Sequence, residues 1–180
     1  MKVDTHYTDF LPETLKACGS MGILLVGQGF SGKPNTMTIG WCQAGVIWGK
    51  PIMTVLVRHS RFTYGLIDEA GTFTVNVMPP EFADSVAFCG KESGRDRDKF
   101  VEKGLTAVPG KLISCPVIGE GVIHYECKVV YRDDLTPDGI PSDIQTRFYP
   151  QGDFHRVYYG EIVAAYAEEN ARERLAVEPY

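Results

Sequence analysis

The sequence predicts a mainly β domain, a barrel or closed sheet with a few short helices. Three observations carry this. Short β-branched and aromatic runs recur between Gly and Pro punctuation. "GTFTVNVM" alternates strictly, Phe73, Val75 and Val77 against Thr72, Thr74 and Asn76. Helical segments are few and brief. At 180 residues, with no internal repeat, linker or low-complexity tract, the chain reads as one domain over 1–180 with a continuous core.

The elements follow in order. "SMGILLVGQG" is a first strand and "NTMTIGWCQAGVIWG" a second, with a bend expected at Gly45. "PIMTVLV" is a third. "SRFTYGLIDEAG" is a helix running from Ser60 as N-cap to Gly71 as C-cap. "GTFTVNVM" is the fourth strand. "PPEFADSVAFCG" opens with prolines, carries acids in its first turn and closes at Gly90, as a second helix would. "DRDKFVEKG" is a short third helix and "EENARERLA" a fourth. "EGVIHYECKVVYRDD" and "HRVYYGEIVAAYA" are long strands, and the turn formers of "LTPDGIPSD" between them read as a loop.

Composition excludes several classes. A net charge of -5 and a pI near 5.4 argue against a nucleic-acid surface. The densest charge cluster, "KESGRDRDKFVEK", mixes both signs and reads as a solvated helix surface. Five widely spaced cysteines with no C-x-x-C speak against a disulfide scaffold or zinc knuckle and for a reducing compartment. The four histidines show no metal-ligand spacing, so no protein metal site is expected. No signal segment or long apolar span appears, and the expectation is a soluble cytoplasmic protein without a membrane partner.

"GQGFSGKP" at 27–34 fits two phosphate-loop patterns, and both fail. A triphosphate loop needs Ser or Thr after its lysine and then a helix; here Pro34 and a strand follow. A dinucleotide turn needs a helix and an acid about 20 residues on, where "IWGKPI" has none. Gly49-Lys50-Pro51 repeats the tripeptide before another strand, so Gly-Lys-Pro is a turn device and Lys33 holds no phosphate. "VRHSRFTY" is a better anion site. A strand ends in Arg58, a helix begins, Ser60 and Thr63 offer hydroxyls, and Arg58 and Arg61 offer charge. An ordinary capped helix with surface arginines fits the same residues.

Four segments in order resemble the flavin reductase-like family of FMN-binding split barrels, its flavoredoxin-type members above all. They are "NTMTIGWCQ", "VRHSRFTYGLI", "FTVNVMPPEFADSVAFCGKESGRDRDKF" and "HRVYYGEIV", and they span about residues 20 to 165. The resemblance implies an antiparallel, Greek-key-like split β-barrel that binds FMN at the barrel edge, at a homodimer interface. It implies that Asn35, Met37, Thr38 and Trp41 line the ring, that Arg58, Ser60 and Thr63 hold the phosphate, and that Cys89 and Lys99 complete the pocket. His155 matches a position near the open face of the flavin. Amide donors and a lysine at the pyrimidine edge would favour reduction. No residue need act as acid or base, and none is assigned a catalytic role.

Without the resemblance the same residues read more plainly. Trp41 is then a core or dimer contact, Cys89 packing, Lys99 solvent-facing, and His155 the start of a strand. The implied activity is electron transfer from NADH or NADPH through FMN to a flavin, a small molecule or a redox protein. The alternative is a non-catalytic FMN store or sensor. Residues 135–154 match least and fall on the substrate side.

Overall fold

The computed structural model describes residues 1–176; the last four residues of the domain expected over 1–180 lie outside it. The chain begins with β1 (Lys2–Asp4), α1 (Leu11–Gly19), β2 (Ile23–Gln28), β3 (Pro34–Ile39), β4 (Cys42–Ile47) and β5 (Lys50–Arg58). Then come α2 (Phe62–Ala70), β6 (Thr72–Val77), α3 (Ala83–Lys91) and α4 (Lys99–Lys103). Two short strands, β7 (Ala107–Val108) and β8 (Val117–Ile118), precede β9 (Ile123–Asp134), α5 (Ser142–Phe148), β10 (His155–Glu168) and α6 (Ala171–Leu175).

The main sheet is antiparallel in the order β3-β2-β6-β9-β10-β5-β4, with β1 also pairing β10. β9 and β10 are its long central strands, joined in register from Ile123↔Ala167 to Asp134↔Arg156 with two bulges. The sheet curls enough for β3 to approach β5. Its concave side buries Leu25, Val55, Val57, Phe73, Val75, Tyr125 and Tyr158, the alternating apolar set of five strands. A second cluster lies under α3 and α4, where Leu24 and Val26 of β2 meet Met78, Val86, Cys89 and Phe100.

Both Gly-Lys-Pro tripeptides launch strands. β2 and β3 pair from Gln28↔Pro34, with Gly32 at φ 77 in the turn between them. β4 and β5 close at Ile47↔Lys50 through Trp48 and Gly49, both at positive φ, the backbone that a two-residue hairpin demands. Gly27 has a different purpose. A Cβ there would come within 3.0 Å of Ile67 and 3.1 Å of Thr63, so its bare backbone lets α2 lie directly on β2.

Several expectations need correction. The bend expected at Gly45 falls at Gly40–Trp41, because β3 pairs with β2 while β4 pairs with β5. Gly45 lies inside β4 opposite Ile52. Ser60 does not cap α2. The N-cap is Arg61 and no side chain caps it, while the Ser60 hydroxyl and amide both bond the Asp153 carboxylate. Gly71 does end α2, in the left-handed conformation. The segment taken as a loop after β9 leads into α5, and β1 and α1 were not anticipated. The "KESGRDRDKFVEK" stretch starts on the last residue of α3, crosses an irregular loop and is helical again over α4, where Asp98 caps by accepting from the Val101 amide.

Candidate functional site

Two cavities open along β3, one toward each of its ends. At the C-terminal end a slot of about 200 Å³ is lined by Met37, Thr38, Trp41, Leu56, Arg58, Arg61 and His155. At the N-terminal end a cavity of about 410 Å³ is lined by Lys33, Asn35, Phe62, Gly94, Arg95, Arg97, Asp98 and Lys99. A larger cleft of about 540 Å³ lies between the chain start, Lys111 and β10, and none of the residues singled out in the sequence lines it.

Trp41 and His155 wall one side of the slot, with Phe148 and Tyr149 packed behind them. Trp41 is 38% exposed and meets Phe148 edge-on at 5.2 Å and His155 at 4.8 Å between ring centroids. Phe148 and Tyr149 come from residues 135–154, the stretch least legible in the sequence. Arg58 ties that stretch down by donating to the carbonyls of Phe148 and Asp153, each at 2.8 Å, with the Asp153 carboxylate 3.8 Å away. Arg58 also lies 5.0 Å from the Tyr149 ring, a cation–π distance. His155 opens β10 opposite Arg58, is buried, and meets the Tyr149 hydroxyl at Nδ1, 2.8 Å. Burial, and secondarily the Arg58 charge, lowers its pKa to about 4, so the imidazole is neutral at pH 7.

The other cavity is cationic. Lys33, Arg95, Arg97 and Lys99 face it with one lining carboxylate, Asp98. Lys33 pairs with Asp98 at 3.1 Å, and Arg97 is held by Glu102 at 2.7 Å. Arg95 donates to the Ser60 carbonyl at 2.8 Å, which draws the Gly94–Arg95 loop over the start of α2. Lys99 is only 3% exposed, against the solvent-facing default for a lysine on a charged helix. Its ammonium donates to the Thr36 carbonyl at 2.9 Å and the Cys89 carbonyl at 2.8 Å. An ammonium has three donors, so one has no protein partner among the described residues. Burial lowers the Lys99 pKa.

The residues singled out thus divide between the two ends. Met37, Thr38, Trp41, Arg58 and His155 converge on the slot; Asn35 and Lys99 converge on the cationic cavity. Thr63 stands behind Asn35 and accepts from its side-chain amide at 2.8 Å. Ser60 is taken up by Asp153. The Cys89 side chain is fully buried, its thiol pushed up to about 11 by desolvation, and only its carbonyl reaches Lys99. Sequence reasoning missed Phe62, Gly94, Arg95 and Arg97. For Gly94, Arg95 and Arg97 the signal was present in "SGRDRDK", a basic run with a glycine that ends on Lys99, which the fold buries.

The donor set fits a flavin mononucleotide. A phosphate suits Arg95 and Lys99, whose charges no carboxylate pairs among the described residues, beside the uncapped first turn of α2, whose amides offer partial positive charge. The loop passes so close at Gly94 that a Cβ there would lie 2.2 Å from Asn35 Oδ1, so a larger residue would have to displace the Asn35 side chain from Thr63. A flat ring suits the aromatic-walled slot six residues along the same strand direction.

An antiparallel, curled sheet with a few short helices packed on it is the architecture of a split barrel. The flavin reductase like domain model matches residues 18–178, and the chain belongs to that family. It is 28% identical to the flavoredoxin from Methanosarcina acetivorans, with a TM-score of 0.64, covering 94% of this chain and 77% of that one. The split barrel domain protein from Shewanella frigidimarina shares the fold at a TM-score of 0.67 and 18% identity, over 91% of this chain and 77% of that one. An uncharacterised protein of Archaeoglobus fulgidus is 36% identical over 54% of this chain and 55% of its own length. The chain spans about half the length of the curated relatives it matches. Among the described residues no helix is long and apolar enough to cross a membrane.

Proposed function

We propose that this chain binds FMN, with the phosphate in the cationic cavity at the start of α2 and the ring in the slot between Met37 and His155. Electrons would pass from NADH or NADPH to a second acceptor: free flavin, a small molecule or a redox protein. One observation carries the reading. One end of β3 opens on four cationic side chains at the start of α2, and the other on a slot that sets Trp41 and His155 beside Arg58 and Arg61, an arrangement that suits a phosphate at one end and a ring at the other.

Bound FMN would supply the hydride and electron chemistry, and the chain's own residues bind, orient and exclude water. Lys99 and Arg95 would hold the phosphate by charge-assisted bonds, with Lys33 at the rim. Thr63 would fix the Asn35 side chain at the junction of the two cavities. Arg58 would hold the Phe148–Asp153 loop, and so the aromatic wall, in place. His155, neutral and engaged at Nδ1, would carry its proton on Nε2 when Tyr149 donates, presenting a donor without bringing a charge into the slot. The exposed β4–β5 hairpin, with Val46 and Trp48 outward on an edge strand, would be covered by a second copy of the chain in a homodimer.

The visible spectrum tests the first step. Purified protein should carry or take up one FMN per chain, and a chain that stays colourless with excess FMN would refute the proposal. Bleaching of bound FMN by NADH or NADPH under argon would establish the donor. Bound flavin that neither nicotinamide reduces would point instead to a store or sensor.

A further inference from the structure

Cys18 lies in the last turn of α1 and Cys42 opens β4, and the fold brings them together. The end of α1 rests on the chain break between β3 and β4, where a Cβ on Gly40 would lie 3.7 Å from the Cys18 carbonyl. Cys18 Sγ is 4.0 Å from the Ile39 carbonyl oxygen. α1 packs on β4 here, and the two side chains lie close enough for each to perturb the other's ionisation. Both face one cavity of about 470 Å³, which they share with Leu15, Gly40, Trp41 and Leu56. Cys42 is half-buried, so the pair has a solvent-side member.

The other three cysteines are a contrast. Cys89, Cys115 and Cys127 are fully buried and lie in the sheet and helix cores, away from this cavity. Desolvation pushes their thiols up, Cys89 to about 11 and Cys115 to about 12. Such thiols are inert. The Cys18–Cys42 pair differs in being unequal: the Cys42 side chain beside it lowers the Cys18 pKa against desolvation, while the Cys42 thiol is raised.

We propose that Cys18 and Cys42 are a redox-active dithiol that closes to an intrachain disulfide by exchange with a low-molecular-weight disulfide entering the cavity beside Trp41. A thiolate of the pair attacks one sulfur of the incoming disulfide, whose S–S bond breaks and releases a thiolate that takes up a proton. The second cysteine, losing its proton, then attacks the mixed disulfide and expels the remaining half as a second thiol. The pair loses two electrons and two protons, and the incoming disulfide gains them as two thiols. Closure tethers α1 to the residue after Trp41, so the wall of the slot registers it.

Glutathione redox buffers applied to the folded full-length chain test this, with alkylation of free thiols and peptide mapping by mass spectrometry. The expected result is a fall from five alkylable thiols to three on subsequent denaturation, with a Cys18–Cys42 linked peptide that dithiothreitol abolishes. A Trp48→Phe variant leaves Trp41 as the one tryptophan, and its emission should shift with the same midpoint as the linkage. Cys18→Ser and Cys42→Ser should each lose the link and leave glutathione on the other cysteine. Absence of the linked peptide in oxidised glutathione while near-UV circular dichroism stays native would overturn the proposal; so would a linkage appearing only on unfolding. The wild-type mapping decides the matter even if a serine variant does not fold. Because the chemistry needs no flavin, a colourless protein would leave this result readable.

Discussion

Two regions of the molecule each bury a charge and a histidine, and they treat them oppositely. Under β9 and β10 the fully buried Glu126 accepts from the amides of Lys111, Leu112 and Ile113 and from the Tyr166 hydroxyl, at 2.6 to 3.1 Å. Nearby His124 sits between two oxygen acceptors, Asn76 Oδ1 at 2.8 Å and the Gly121 carbonyl at 3.0 Å, and donates its one N–H between them. Around β3, Lys99 uses two of its three donors and His155 one of its two nitrogens, and both line cavities. A saturated buried charge holds the fold. One with a donor to spare, facing a cavity, is built for something else to complete.

The largest expected effect lies on the saturated side. Glu126→Gln should cost about 4 kcal/mol in urea unfolding, because one acceptor oxygen becomes an NH2 that faces buried donors, and leave the FMN affinity of the folded fraction unchanged. A stability loss under about 1 kcal/mol would show that the cluster is not the strut described.

The acid limb comes next. His155 has its folded pKa lowered to about 4 from 6.5, so the unfolded chain binds the extra proton between those values. Its contribution is whole above pH 6.5 and is lost as pH falls toward 4, by about 1.4 kcal/mol per pH unit and about 3 kcal/mol in all. His155→Gln should flatten that limb of the stability profile. An unchanged slope would mean that the ring is not desolvated as the structure has it.

Lys99→Met reverses the pattern of Glu126. FMN affinity should drop about 30-fold, roughly 2 kcal/mol, with stability within about 1 kcal/mol of wild type, since an apolar side chain relieves the buried charge. Isothermal titration beside urea unfolding would read both, and a large stability loss with intact affinity would make Lys99 a second strut. The smallest effect belongs to Lys33→Ala. Its side chain is 72% exposed and already paired with Asp98, so the loss should be under about 0.5 kcal/mol of FMN binding, fading with salt.

Much of the strand framework was legible because period-two alternation is local. "GTFTVNVM" is β6 over Thr72–Val77, and both Gly-Lys-Pro turns lead into strands as read. What escaped depends on partners distant in sequence. The break at Gly40–Trp41 carries no local mark stronger than Gly45 does; it arises because β3 and β4 have different neighbours. Ser60 has the composition of an N-cap, yet a carboxylate 93 residues away claims it. Lys99 looks like a surface lysine until α3 and β3 bring two carbonyls to it.

By itself, then, the sequence determined the fold class, many of the strands and both Gly-Lys-Pro turns, because alternation and glycine geometry act over a few residues. It also placed the chain near its family through four ordered segments. Tertiary structure alone decided which of its cations share a cavity, which buried charges are saturated, and that Cys18 meets Cys42. Those depend on pairings across tens of residues, where the same side chain is a solvated surface group or a ligand depending on what the fold packs against it.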